Sequence, residues 1–181
     1  NHYWLSLNTG LIKDEYVYNK IVEIYWQKNN IDQIISATKK AIEKFPLTPI
    51  FYYYQGLALV TQKKYQLSIE PLLKGKEFVF ENPKLLSEFY SLIGDSYHHM
   101  NQPVESDEAY NLALKHNPEN IIVLNNYSYY LSNRNESLEL AKKMILRCIN
   151  LTLDSPRASF IDTYAWVLYK TGDYALAKEQ I

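Results

Sequence analysis

What the chain lacks narrows it first. It carries one cysteine, Cys148, so no disulfide can form within it. A lone cysteine in a helical pattern reads as a small buried hydrophobe. Its 7 prolines and 5 glycines form no linker-like cluster, so the sequence reads as a single domain over 1–181. No sign of charge dominates: 19 basic and 20 acidic side chains leave a net charge of −1. Without a basic excess there is no electrostatic case for nucleic acid or for an anionic membrane surface. Apolar runs are short of a membrane span. The chain opens at Asn1 and shows no signal peptide, which a fragment or mature form would have lost.

Chemistry-bearing motifs are missing as well. There is no Gly-rich phosphate loop, no H-E-x-x-H and no C-x-x-C. His98 and His99 are adjacent, so on a helix they project about 100° apart and do not share a metal. Asp95 and His99, one turn apart, are two ligands at most and make no complete metal site. Glu105, Asp107 and Glu108 fall in the first turns of a helix, where the helix dipole accounts for them. The three N-x-S/T triplets, at Asn126, Asn135 and Asn150, are expected by chance in an Asn-rich chain. The reading is of a protein that is not an enzyme, with no cofactor and no metal.

What is present is apolar residues at helical spacing, 17 tyrosines, and one pattern that returns. Between Ser87 and Pro118, the residues Tyr90, Ile93, Gly94 and Tyr97 fit W-x2-L-G-x2-Y. Ser106 and Tyr110 fit A-x3-F, and Pro118 closes the unit. A small residue at 94 lets a second helix pass close by, and Ser106 is the reciprocal small contact. The small position recurs as Val22, Gly56, Gly94, Ser128 and Ala165, at intervals of 34, 38, 34 and 37 residues. Val22 is large for this place and predicts a more splayed first pair.

These residues resemble the tetratricopeptide repeat family over residues 15–181. The resemblance implies an all-α, right-handed superhelix of stacked antiparallel helix hairpins, about four and a half repeats. The repeats are placed at 15–48, 49–86, 87–120, 121–157 and a truncated 158–181. Residues 1–14 read as the tail of a preceding helix stopped at Gly10. The expected helix pairs are 15–28 with 31–44, 48–62 with 65–80, 83–100 with 103–116, 119–132 with 135–149, and 156–170 with 173–181. Asn30 and Asn135 are expected to cap second helices. Pro71 is expected to kink one or delay its start.

Tyr18, Tyr25, Tyr52, Tyr90, Tyr97, Tyr110, Tyr127 and Tyr164 fall on packing columns and read as knobs between helices. In the resembling family, first-helix residues of another phase line the concave surface and bind peptides. Carried onto this chain, they are Tyr16, Asn19, Glu23 and Trp26; Tyr53 and Leu57; Asp95 and His98; Asn125 and Tyr129; and Asp162, Trp166 and Tyr169. That is a groove of aromatics and amides, the residue types of recognition surfaces. The basic cluster with which one subtype clamps a C-terminal carboxylate is absent, Lys20 being the nearest base. The implied function is a non-catalytic scaffold or adaptor with a protein or peptide partner.

The stretches Leu124–Leu131 and Asp162–Lys170 resemble repeats of bacterial, Bacteroidetes-like members, many of them associated with the cell envelope. That slightly favours the envelope or periplasm over the cytoplasm. Two rival roles remain: a self-assembly module, or the repeat part of a larger envelope protein. Trp4 and Leu5 at one end, with Leu176 and Ile181 at the other, predict end-to-end self-association or fraying.

Overall fold

The computed structural model describes residues 15–152 and 158–180. Among them are ten helices and no strand. They form five hairpins in a right-handed superhelix. The first is α1 (Glu15–Gln27) with α2 (Ile31–Lys44), and the second is α3 (Pro49–Thr61) with α4 (Tyr65–Glu77). The third is α5 (Pro83–His99) with α6 (Pro103–His116), and the fourth is α7 (Ile121–Arg134) with α8 (Leu138–Asn150). The fifth is α9 (Ala158–Thr171) with α10 (Tyr174–Glu179). The readings made at Trp4, Leu5, Gly10 and Ile181 lie outside the described residues. No helix among the described residues is long and apolar enough to cross a membrane.

One device ends every first helix. Seven residues after the small position sits a residue in the left-handed region: Asn29, Lys63, Asn101, Asn135 and Gly172. The next backbone N–H then reaches back to a carbonyl five residues earlier. Asn30 reaches Tyr25 O at 2.9 Å, Lys64 Leu59 O at 2.9 Å, and Gln102 Tyr97 O at 2.9 Å. Glu136 reaches Leu131 O at 3.0 Å, and Asp173 Leu168 O at 2.9 Å. This is the Schellman closure, which satisfies carbonyls that the helix end leaves without partners. Starts are marked by proline at the first position of α3, α5 and α6. Asparagine side chains cap α2, α5 and α7: Asn30, Asn82 and Asn120 accept from Gln33, Leu85 and Val123 N–H.

Small residues set how closely each hairpin closes. A Cβ on Gly94 would lie 2.9 Å from Tyr110 Cε1, and Ser106 Oγ donates to the Gly94 carbonyl across the crossing at 2.9 Å. A Cβ on Gly56 would collide with the Leu72 side chain. In the first hairpin the larger pair Val22 and Ile34 is fully buried, so the crossing is filled. Three apolar clusters then follow one another: around Tyr18 and Phe51, around Tyr52 and Phe89, and around Tyr110 and Ile145.

Two expectations are corrected. Pro71 neither delays nor interrupts α4, which runs unbroken from Tyr65. The bond it forgoes is to the carbonyl of Leu67, an exposed residue where water can substitute. Asn135 does not cap α8. At φ 54° it terminates α7, donating to the Leu131 and Ser132 carbonyls, and α8 begins only at Leu138. Asparagine tolerates the left-handed region, so the αL stop uses it in place of glycine.

Successive first helices touch directly, α3 with α5, α5 with α7 and α7 with α9. The second helices α4, α6 and α8 touch mainly their own partner and a flanking first helix. The stack therefore curves with its first helices on the inside.

Candidate functional site

The first helices supply the inner surface, and each expected site residue lies on one of them. On α1, Tyr16 is open at 60% exposure with Lys20 Nζ 5.5 Å over its ring. Asn19 is half-buried, and Trp26 packs on the first cluster. On α3, Tyr53 meets Phe89 edge-on at 5.6 Å, and Tyr53 and Leu57 both pack half-buried on the second cluster. Burial first, then the neighbouring Glu88, pushes the Tyr53 hydroxyl pKa well up.

The middle of this surface is closed. Tyr110 Oη donates to Asp95 Oδ1 at 2.6 Å, and Asn126 Nδ2 donates to the same oxygen at 3.2 Å. Tyr130 Oη approaches it at 3.5 Å. Burial raises the Asp95 pKa, against these hydrogen bonds and the nearby His99, which lower it. The His98 ring stacks on Tyr130, centroids 3.4 Å apart. Burial, then His99 and Arg134, pull its imidazole down to about 4, so it is neutral at pH 7. His99 stacks on Tyr65 at 4.4 Å and meets Tyr130 edge-on at 6.2 Å. Asp95 and His98 thus join α5 to α6 and α7; they are not open to a ligand as Tyr16 is.

The surface reopens on α7 and α9. Tyr129 is 42% exposed beside Tyr130. Asn125 donates to Asn126 Oδ1 at 3.1 Å, while its own Oδ1 is buried without a partner in the structure. Trp166 Nε1 donates to Asn133 Oδ1 at 2.8 Å, which joins α9 to α7. Trp166 stacks on Tyr169 at 5.7 Å, and Lys170 Nζ lies 5.0 Å over the indole. Asp162, Trp166 and Tyr169 line a cleft of about 490 Å³ with Tyr174, Ala177 and Lys178 of α10.

Sequence reading expected one groove through all of these residues; of them Tyr16, Tyr129, Trp166 and Tyr169 are exposed, and Tyr53 and Leu57 are half-buried. It missed Tyr130 and Asn126, which close the centre. Their i, i+4 spacing on α7 puts them on one face and was the available signal. It also missed the α10 wall of the cleft, whose residues belong to a different packing column.

Stacked hairpins with an inner layer of first helices define the class: an α-solenoid whose first helices line one continuous surface. A sequence model described as the tetratricopeptide repeat matches residues 87–120. Solved structures share the fold. One is YrrB, described as a tetratricopeptide protein with an unusual peptide-binding site. It is 14% identical, covers 99% of this chain and 89% of its own, and superposes with a TM-score of 0.69. PilF of Pseudomonas aeruginosa is 18% identical, covers 92% and 72%, and scores 0.75. The Cut9–Hcn1 hetero-tetramer of the APC/C is 12% identical, covers 99% of this chain and 35% of that one, and scores 0.81. Comparison with curated proteins finds no match. The family model thus covers one repeat of the chain, and the solved structures show that the chain shares the tetratricopeptide-type fold.

Proposed function

We propose that this chain is a non-catalytic scaffold that binds protein or peptide segments along the inner surface of its first helices. The observation that carries this is the interrupted row of open aromatics there. Tyr16 lies on one side of the closed Asp95–His98 centre, and Tyr129, Trp166 and Tyr169 lie on the other. Exposed aromatics on rigid helices offer contact area at low entropy cost. Asn19, Trp26, Tyr53, Leu57, Asn125 and Asp162 complete the two stretches. Asp95 and His98 hold them in register. That YrrB is described as having a peptide-binding site supports the ligand class.

Peptide-array selection followed by calorimetry tests the reading. Tyr16→Ala or Tyr129→Ala should weaken a selected peptide about tenfold, near 1.4 kcal/mol. Leu67→Ala on the second-helix layer should not. Undiminished affinity in both inner-surface variants would move recognition to the outer face.

A further inference from the structure

A proline inside a helix has no N–H to give, so one carbonyl loses its helical partner. Pro71 lies in the interior of α4 and deprives the Leu67 carbonyl in this way. Departures from local rules concentrate at functional sites. Leu67 and Pro71 line one cleft of about 330 Å³ on the outer side of the stack. Its walls are α2 and α4, and α3 is its floor. Ile35 and Ile42 of α2, Leu59 of α3 and Leu67 make it apolar over about two helical turns, roughly 10 Å.

Two cations line this apolar strip. Lys39 of α2 and Lys74 of α4 are exposed, and neither enters an ion pair among the described residues. Lys74 Nζ lies 5.8 Å over the Tyr52 ring, which holds it at the cleft. Glu70 is the one carboxylate in the lining, so a single positive charge is in excess. The matching cleft between α6 and α8 shows what Pro71 changes. Counted from Ser68 and Ala141, the small residues of the two crossings, Leu67, Pro71 and Lys74 correspond to Leu140, Met144 and Arg147. Those three line a cleft of about 240 Å³. Met144 keeps the N–H that a helix directs at the carbonyl of residue 140. The α2–α4 cleft is the larger, and it adds an available carbonyl to an apolar, cationic groove.

We propose that the cleft between α2 and α4 binds an extended acidic segment of a partner protein. A backbone N–H of that segment donates to the Leu67 carbonyl in place of water. One apolar side chain lies over Ile42 and Leu59, and carboxylates on either side of it meet Lys39 and Lys74. At about 3.3 Å per residue, about three extended residues span the groove. A helical segment has no free N–H in its interior to offer the carbonyl. A basic segment would meet both lysines as like charges. The cleft shares no residue with the inner surface, so the two sites stand or fall separately.

The probes are fluorescein-labelled hexapeptides in which leucine, valine or phenylalanine is flanked by aspartate or glutamate. Matched sets carry asparagine or glutamine, or lysine, in the flanking places. Anisotropy is followed against the whole chain. At least one acidic member should bind saturably, and its amide counterpart about fivefold more weakly, the upper range for exposed ion pairs. Lys39→Gln combined with Lys74→Gln should remove that difference. Leu67→Ala should weaken the acidic peptide, whereas Tyr16→Ala and Tyr129→Ala should not. Pro71→Ala returns an N–H to the Leu67 carbonyl. It should lower affinity about fivefold without lowering the melting temperature, because alanine suits a helix better than proline. No saturable binding by any acidic member, an acid preference that survives both lysine changes, or full affinity in Pro71→Ala would overturn the proposal. So would affinity lost in Tyr129→Ala and kept in Leu67→Ala, since the acidic peptide would then lie on the inner surface.

Discussion

At the scale of single residues, the centre of the molecule is organised by groups whose charged forms burial opposes. Burial raises the Asp95 carboxyl pKa, and it lowers the His98 imidazole to about 4 beneath Tyr130. The signs differ. A histidine whose folded pKa lies below its unfolded value favours the fold while neutral. Its contribution is therefore present above about pH 6.5 and is lost as pH falls toward 4. A carboxyl raised by burial works in the opposite sense, because the folded state takes up its proton first. Replacing His98 isolates its share. His98→Asn should lose less melting temperature than the parent between pH 7 and 4.5, and equal losses would assign the acid sensitivity to other groups. Gly75 is a second test at this scale. A Cβ there would collide with Tyr52 Cβ and lie 2.7 Å from Phe89 Cε1, and neither can swing aside in the filled core. Gly75→Ala should destabilise by about 2–3 kcal/mol in denaturant titration, an overpacking effect. A smaller loss would mean that α4 can slide.

At the scale of elements, the hairpin is defined by its ending. Five first helices stop by the same 6→1 hydrogen bond, although the residue that adopts positive φ is asparagine three times, lysine once and glycine once. Lysine carries a Cβ penalty in that region that glycine does not. Lys63→Gly should therefore stabilise by about 0.5–1 kcal/mol, while Gly172→Ala should destabilise by about 1 kcal/mol. Thermal unfolding of the pair checks both, and shifts of the same sign would contradict the shared geometry. Pro71 belongs at this scale too. Inside a helix it was expected to disturb, yet it faces the core while the carbonyl it leaves belongs to an exposed residue, so the helix continues.

At the scale of the whole molecule, contacts run between neighbours in sequence, and stability should grade along the stack. The Asp95 network, the Asn120 bridge to Ser87 at 3.0 Å and the Arg134–Asp107 pair tie α5, α6 and α7 together. The α10 helix spans Tyr174–Glu179 and, among the described residues, packs chiefly on α9. Hydrogen exchange should find α5 to α7 the most protected and α10 the least. Uniform protection from α1 to α10 would contradict a stack held by nearest-neighbour contacts.

The chain's own residues determined the repeat. The small column from Val22 to Ala165, with aromatics and prolines at set offsets, is a local pattern. It set the helix type, the pairing and the bounds of the first helices to within two residues at either end. Tertiary structure decided what each exposed-looking residue faces. Asp95, Tyr129 and Trp166 share one position in the repeat, and periodicity alone gives them one role. The structure separates them: Asp95 is hydrogen-bonded by Tyr110, Asn126 and Tyr130 of neighbouring helices, Tyr129 stays open, and Trp166 reaches Asn133. Asn135 shows the same limit, since its side chain fits a helix start or a helix stop equally well. Burial is a property of pairs of hairpins, and the side chains that confer it lie 15 to 35 residues away in sequence from the group they cover.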